Sequence, residues 1–148
     1  VPLFSRMNIR VRKVACGLFH SVALCEGGSA YGFGQNPQIG APKDVKYSTI
    51  PRLIEGGDLH DEDEIDFISC GSRHTLVATK RKVFSFGSNA KRQCGFLRDD
   101  DNTENDDDEE EKDNVYLPRL TLSIVRGSSS HIHRVRCERW SSFVLLSS

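Results

Sequence analysis

The string Val14-Ala-Cys-Gly-Leu-Phe-His-Ser-Val-Ala-Leu24 returns later in the chain as Ile68-Ser-Cys-Gly-Ser-Arg-His-Thr-Leu-Val-Ala78. The two strings align without a gap, so the Cys-Gly pair and the His of one copy fall on those of the other. An internal repeat of this kind predicts that the chain folds as a row of similar units.

The similarity continues on both sides of these strings. Tyr31-Gly-Phe-Gly-Gln-Asn36 matches Phe84-Ser-Phe-Gly-Ser-Asn89, and a Gln-x-Gly triplet and a Pro-Arg-Leu triplet follow in both copies. A third, partial copy runs from Val135 to Leu145. The positions that recur are expected to be structural, and they are Cys16, Gly17, His20, Gly34, Asn36, Cys70, Gly71, His74, Gly87, Asn89, Gly95 and Cys137.

Each full copy is typical of four short strands. The first strand ends at Cys-Gly, the second begins at His-Ser or His-Thr, and the third is aromatic and glycine-rich and ends in a Gly-x-Asn turn. Proline then opens an outer segment, where a missing backbone donor costs least. We expect an all-β chain with a leading segment 1–8, a repeat 9–56, an acidic connection 57–64, a repeat 65–122 with a disordered acidic insertion 99–114, and a C-terminal half-repeat 132–148.

The ordered set Cys-Gly-x-x-His-Ser/Thr, Gly-x-Asn, Gln-x-Gly and Pro resembles the repeat of the regulator of chromosome condensation family. The resemblance extends over 9–146 apart from two acidic insertions, and it implies a partial β-propeller of about two and a half four-stranded blades in a ring of about seven. The chain is most similar to the C-terminal part of the regulator-of-chromosome-condensation domain-containing proteins. They share its Cys-Gly-Ser-Arg-His-Thr string, a long charged loop and a closing Cys-x-x-Trp.

An incomplete ring leaves strand edges open, and open edges pair with other chains. We therefore expect a fragment whose remaining blades belong to the same longer protein and complete the half-repeat. Self-assembly of short chains into a ring is the alternative.

The net charge of −1 hides a sharp division. The stretch 99–114 holds eleven acidic residues and one lysine, which leaves 19 basic and 10 acidic residues in the rest of the chain. We expect the acidic connection 57–64 to leave the first unit from the corresponding position, so that both stretches flank one face. The long stretch is either a solvated loop, a segment that folds back on the basic body of the chain, or a contact for a basic partner such as a histone tail. The candidate contact residues are Asp106, Asp107, Asp108, Glu109, Glu110 and Glu111.

Two Cys-x-x-x-His pairs have the residue types of a zinc site. The third copy has Ser141 in place of His, however, and a shared metal site is not expected to lose a ligand while the pattern continues. A nucleophile is likewise not expected once per repeat. We therefore expect no catalytic residue, metal or cofactor, and we interpret each Cys as packing between blades and each His as bonding locally.

Three further features do not recur between the units. The basic Lys80-Arg-Lys82 turn is either a polar hairpin turn or a nuclear-import patch. Arg134 and Arg136 alternate on one strand face and are candidates for contact with phosphates or another partner, so nucleic acid is a minor alternative. Trp140 is either packed within a blade or a contact for a partner.

Five cysteines without a secretory signal are typical of reduced thiols in a nuclear or cytosolic protein. No apolar run approaches the roughly 20 residues of a membrane span, so no membrane partner is expected.

The sequence favours a non-catalytic scaffold that binds proteins in the nucleus or the cytoplasm. The narrower resemblance implies a chromatin-associated partner, a JmjC-type oxygenase. The alternative that the family implies is guanine-nucleotide exchange on a Ran- or Rab-like small GTPase. The founding member inserts a wedge against the nucleotide site, and no residue of this chain matches that wedge.

Overall fold

The protein is described here by a computed structural model, which covers residues 2–96, 113–125 and 127–148. A short helix, α1, spans Pro2–Arg6. The strands that follow are β1 (Val11–Cys16), β2 (His20–Cys25), β3 (Ala30–Gln35), β4 (Tyr47–Leu53), β5 (Phe67–Cys70), β6 (His74–Ala78), β7 (Lys82–Ser88), β8 (Asn114–Ser123), β9 (His131–Cys137) and β10 (Ser142–Ser147).

The strands form three separate antiparallel sheets. The first unit is a sheet in the order β1-β2-β3-β4, the second has the order β5-β6-β7-β8, and the third contains β9 and β10. The predicted all-β architecture of two complete four-stranded units and one half unit is therefore confirmed. The first strand of every unit ends at its Cys, and β2 and β6 begin at their His.

The outer strands contain the recurring prolines. Pro51 lies within β4 and Pro118 within β8, and in both sheets the register against the third strand shifts beside the proline. A proline at such an irregularity removes no regular ladder hydrogen bond. The residue thus lies inside the outer strand, where the sequence pattern had predicted its beginning.

Apolar side chains hold neighbouring sheets together. Alternate residues of β2 face opposite sides of the first sheet, and Val22 and Leu24 point toward the second sheet. A second cluster joins the second and third sheets. The main contributors to the first cluster are Val22, Leu24, Ile54, Leu59, Ile65, Ile68, Val77, Phe84 and Phe86.

The helix α1 packs on the other side of the first sheet. Phe4 is buried there with Ala23 and Cys25, and its ring meets Tyr31 edge-on at 5.4 Å between centroids. Val14 of β1 remains 54% exposed on the same unit. No helix in the part of the chain that the structure describes has the length and apolarity to cross a membrane.

The ends of the sheets define two faces of the molecule. The β1–β2, β5–β6 and β9–β10 turns, the β3–β4 connection and the described ends of the β7–β8 connection lie at one end, which we call the turn face. The acidic stretch 57–64 follows β4, whereas 99–112 belongs to the β7–β8 connection. The two stretches therefore do not leave from corresponding connections of their units, as the sequence analysis expected, and residues 97–112 lie outside the described residues.

Candidate interaction surface

A histidine side chain joins the first sheet to the second. His20 is 4% exposed, and its Nε2 lies 2.9 Å from Oγ1 of Thr75 at the start of β6. The Thr75 hydroxyl donates a hydrogen bond to the backbone oxygen of Gln38 at 2.8 Å. Because the single hydroxyl proton is used in that bond, Thr75 accepts from His20, whose proton is therefore on Nε2.

The junction between the second and third sheets repeats this arrangement. Nε2 of His74 lies 3.0 Å from Oγ of Ser142, and that hydroxyl donates to the backbone oxygen of Gln93 at 2.9 Å. The histidines thus bond across sheets, and the expectation that they bond locally is wrong. The recurrence of Thr75 and Ser142 was visible in the sequence, but their partners lie 55 and 68 residues away.

Burial makes both histidines neutral at physiological pH. Desolvation, together with the nearby His74, lowers the pKa of His20 to about 4. Desolvation also lowers the pKa of His74 to about 4. Each imidazole therefore acts as a fixed, neutral hydrogen-bond donor between sheets and does not change its protonation state near pH 7.

The cysteines at the strand ends are also packing residues. Burial raises the pKa of Cys70 to about 12 and that of Cys137 to about 11. Cys137 donates its backbone N–H to Oγ of Ser69 at 2.8 Å and its Sγ–H to the Ser69 oxygen at 3.3 Å. Cys16, in the first unit, is exposed. Among the described residues, no group of three or more His, Cys, Asp or Glu side chains is arranged to hold a metal ion.

The recurring glycines and asparagines shape the loops. A Cβ on Gly17 would stand 2.6 Å from the Gly71 oxygen, so the two turns approach closely only without a side chain. Asn36 and Asn89 each bond the backbone of the loop that follows. Positive φ angles, which favour glycine, occur at Gly34, Gly87 and Gly95.

The turns that follow the Cys at the end of each unit's first strand are joined into one row on the turn face. The Leu18 N–H donates to the Ser72 oxygen at 3.0 Å, and the Ser72 N–H donates to the Arg139 oxygen at 3.3 Å. The next residue of each turn is Phe19, Arg73 or Trp140. We call these six residues the turn row: Leu18, Phe19, Ser72, Arg73, Arg139 and Trp140.

Large side chains of the turn row project into solvent. Leu18 is 62% exposed, Phe19 57% and Trp140 43%. An open groove of about 310 Å³ beside Phe19 is also lined by Phe33 and Tyr47. The structure therefore gives Trp140 an exposed position on a turn, and it reveals Phe19 as its equivalent, which the sequence analysis had not singled out.

The other predicted contact residues are dispersed. Arg134 and Arg136 lie exposed on β9, facing Leu145 and Phe143 of β10 in register. The acidic candidates of positions 106–111 lie outside the described residues.

The basic turn after β6 is mostly engaged within the fold. The Arg81 guanidinium donates to the backbone oxygens of Ile124 and Val125, and Nζ of Lys82 lies 2.7 Å from Oδ1 of Asp63. These contacts favour the interpretation as a structural hairpin turn. Asp58 is similarly engaged, because its Oδ2 accepts the Leu120 N–H at 2.8 Å.

Comparisons with known proteins agree with this architecture. The model of the regulator of chromosome condensation (RCC1) repeat matches residues 11–38. The human inhibitor of Bruton tyrosine kinase is 34% identical over 100 residues, which are 66% of this chain and 7% of that protein. The probable human E3 ubiquitin-protein ligase HERC6 is 35% identical over 101 residues, 66% of this chain and 10% of that protein. The chain thus spans a small part of these curated relatives.

Solved structures share the fold. Human WBSCR16 superposes with a TM-score of 0.70 at 20% identity, over 93% of this chain and 31% of that chain. Prp20p from Saccharomyces cerevisiae, described with its binding to Gsp1p and histones, gives 0.69 at 19% identity, over 93% of this chain and 31% of that chain. With such partial coverage, the three sheets are a partial β-propeller.

Proposed function

This chain belongs to the RCC1 repeat family, and we propose that it is a non-catalytic part of a propeller that binds other proteins through its turn face. The observation that carries the proposal is the turn row. Its exposed Phe19 and Trp140 stand on turns that are tied to their neighbours by backbone hydrogen bonds.

Such a row suits partner binding because little conformational freedom is lost when a partner makes contact. Aromatic and arginine side chains are enriched among residues that dominate binding energy, and the turn row holds two of each. Its backbone is fixed by the hydrogen bonds between sheets, so a partner does not have to order a flexible loop. The buried, neutral histidines and protonated thiols beneath it support a structural role for the recurring positions.

The partner is proposed from chemistry and from resemblance. The acidic stretch 99–112, which lies between β7 and β8 in the chain, carries the charge to attract a basic protein such as a histone. The similarity of the Cys-Gly-Ser-Arg-His-Thr string to the RCC1 domain-containing proteins supports a chromatin-associated JmjC-type oxygenase as a second candidate. Both candidates place the protein in the nucleus or the cytoplasm.

Binding to purified core histones and to a purified JmjC-type oxygenase domain tests the proposal. We expect Phe19→Ala and Trp140→Ala each to weaken binding about tenfold, since truncated aromatic anchors typically cost more than 1 kcal/mol. Ile50→Ala is the matched control, because Ile50 is 63% exposed but lies on the outer strand β4. No binding to either protein, or equal weakening by Ile50→Ala, contradicts the proposal.

A second candidate function is guanine-nucleotide exchange on a Ran- or Rab-like small GTPase. The fold shared with Prp20p, described with its binding to Gsp1p, favours it. Release of a labelled guanine nucleotide from a Ran-like GTPase, measured with and without the chain, separates the two functions. Acceleration that Phe19→Ala abolishes would favour exchange, whereas binding without acceleration supports the scaffold.

A further inference from the structure

A small pocket lies at the end of the first sheet opposite the turn face. It holds about 150 Å³ and is formed by the β2–β3 turn, the end of β4 and the connection that leads from β4 to the second sheet. All three segments belong to the two complete units and the chain between them. Buried apolar residues form part of the lining, and they are Ala30, Ile54, Leu59 and Ile65. We call this cavity the first-unit pocket.

The second unit fills the equivalent place with an arginine of its own. The guanidinium of Arg81, in the β6–β7 turn, donates to the backbone oxygen of Ile124 at 3.3 Å and to that of Val125. These two acceptors directly follow β8. Ile54 and Glu55, which directly follow β4, line the first-unit pocket. The chain itself therefore shows which chemical group binds at this corner of a unit.

The first unit has a glycine where the second has this arginine. Each turn is closed by a backbone hydrogen bond to the oxygen of its last residue, Ser29 in the first unit and Lys82 in the second. The residue before this acceptor is Gly28 in the first unit and Arg81 in the second. Gly28 has a φ of 79°, and a Cβ there would stand 2.9 Å from Cβ of Glu64. Because a side chain would be strained at this position, the first unit cannot supply an arginine from its own turn.

The carboxylates around the pocket differ in their partners. Oδ1 of Asp63 lies 2.7 Å from Nζ of Lys82, and its Oδ2 accepts the His60 N–H at 3.2 Å. Three other acidic residues of the lining are exposed, and none of them forms an ion pair with another described residue. They are Glu55, Asp61 and Glu64. The pocket therefore combines apolar lining with uncompensated negative charge.

We propose that the first-unit pocket binds an arginine side chain of a partner protein. A cavity of about 150 Å³ can hold a molecule of benzene, and a guanidinium group has fewer heavy atoms. The apolar stem of an arginine suits the apolar lining, and its planar head forms paired hydrogen bonds with carboxylates such as those of Glu55 and Glu64. Lysine fits less well, because its ammonium group is a compact, strongly hydrated charge without this planar arrangement of donors. The partner contacts the end of the sheets opposite the turn row, so this site goes beyond the proposed function.

Peptide titrations of the whole chain, followed by nuclear magnetic resonance of the backbone amides, test the proposal. The probes are the peptide Gly-Ala-Arg-Ala-Gly and the same peptide with lysine or citrulline, the neutral isostere of arginine, at its centre. We expect the arginine peptide to shift the amide signals of Gly27 and Gly28. It should bind about tenfold more tightly than the citrulline peptide, because hydrogen bonds between charged groups are stronger than neutral ones. Glu55→Gln combined with Glu64→Gln should weaken its binding about tenfold, since two exposed ion pairs are lost.

The matched control combines Asp44→Asn with Glu138→Gln, which removes the same charge from exposed residues of the turn face. It should bind the arginine peptide as the wild type does, and thermal midpoints should show that both double variants fold. Equal weakening by the control would overturn the proposal. Citrulline or lysine peptides that bind as tightly as the arginine peptide would also overturn it, and this comparison requires no variant. Phe19→Ala should leave binding of the arginine peptide unchanged, so the result is separable from that for the turn row.

Discussion

The imidazole of His74 lies directly over the α-carbon of Gly71. A Cβ on that glycine would stand 2.1 Å from Cε1 of the ring, and a Cβ on Gly17 would stand 2.0 Å from Cε1 of His20. The third unit has a side chain at the glycine position, Glu138, and it also lacks the imidazole, having Ser141. The glycine and the histidine therefore constrain each other, and the third unit departs from both together.

This relationship predicts a strong coupling between two substitutions. Gly71→Ala should lower the free energy of unfolding by about 2–3 kcal/mol, because the added methyl group overpacks the ring. In Gly71→Ala combined with His74→Ser, the loss should be smaller than the sum of the single losses by at least 1 kcal/mol. Urea unfolding measures all three. Ser72→Ala, in the same turn, is the control with an expected change within 0.5 kcal/mol, roughly the usual range for a surface site; additive losses would contradict the coupling.

The hydroxyl at the start of a unit's second strand should contribute to stability only where a histidine of the preceding sheet bonds to it. Thr75→Val leaves Nε2 of His20 without its buried partner and should cost about 1–3 kcal/mol. Ser21 occupies the same position of the first unit, and its Oγ contacts only Cys16 Sγ, at 3.4 Å, among the described residues. Ser21→Ala should therefore change the free energy of unfolding by less than about 0.5 kcal/mol. Similar losses in the two variants would show that the contact between sheets contributes nothing.

Acid should destabilise the fold through the buried histidines. The pKa values of His20 and His74 are about 4 in the folded chain and about 6.5 when unfolded, so the unfolded chain takes up protons first as the pH falls. Stability is complete above the unfolded value and declines between pH 6.5 and 4, by at most about 1.4 kcal/mol per pH unit for each histidine.

Urea midpoints at pH 7.5 and pH 5.0 measure this decline. His20→Gln should be less stable than the wild type at pH 7.5 but should lose less on acidification. His133→Gln, at an exposed position of β9, should keep the wild-type dependence on pH. An unchanged dependence in His20→Gln would remove the buried imidazole as its cause.

The thiols should differ widely in reactivity. Burial raises the pKa of Cys70 and Cys94 to about 12, so neither forms much thiolate at pH 8, whereas Cys16 is exposed. A disulfide reagent at pH 8 should modify one thiol rapidly in the folded chain and all five in urea. Cys16→Ser should remove the rapid phase. A rapid phase that persists in Cys16→Ser would show that a buried strand end opens.

Much of the fold follows from local patterns. The Cys-Gly pair ends the first strand because the glycine allows the close approach of the next turn, and the His-Ser or His-Thr pair begins the second strand in both full units. The Gly-x-Asn turn was likewise readable, because Asn36 and Asn89 bond the loops that immediately follow them. These features involve neighbours in the chain, so one copy of the repeat is enough to indicate them.

The contacts of the candidate surfaces were not readable in this way. The hydrogen bonding of His20 was predicted to be local, but its partner Thr75 lies on the next sheet. The acidic stretches were predicted on one face and lie in different connections. The spacing of residues predicts neither the exposure of Phe19 nor the pairing of Arg136 with Phe143. Each depends on how a turn or a strand is placed against its neighbour.

The repeated residues alone were sufficient to establish four-stranded units, their order and the positions of their turns, since strand ends and turns depend on backbone conformation over a few residues. Only the packing of one sheet on the next decided which side chains became buried hydrogen-bond donors and which became exposed contact residues. Burial and hydrogen-bond pairing are properties of surfaces brought together, and the distance along the chain does not encode them.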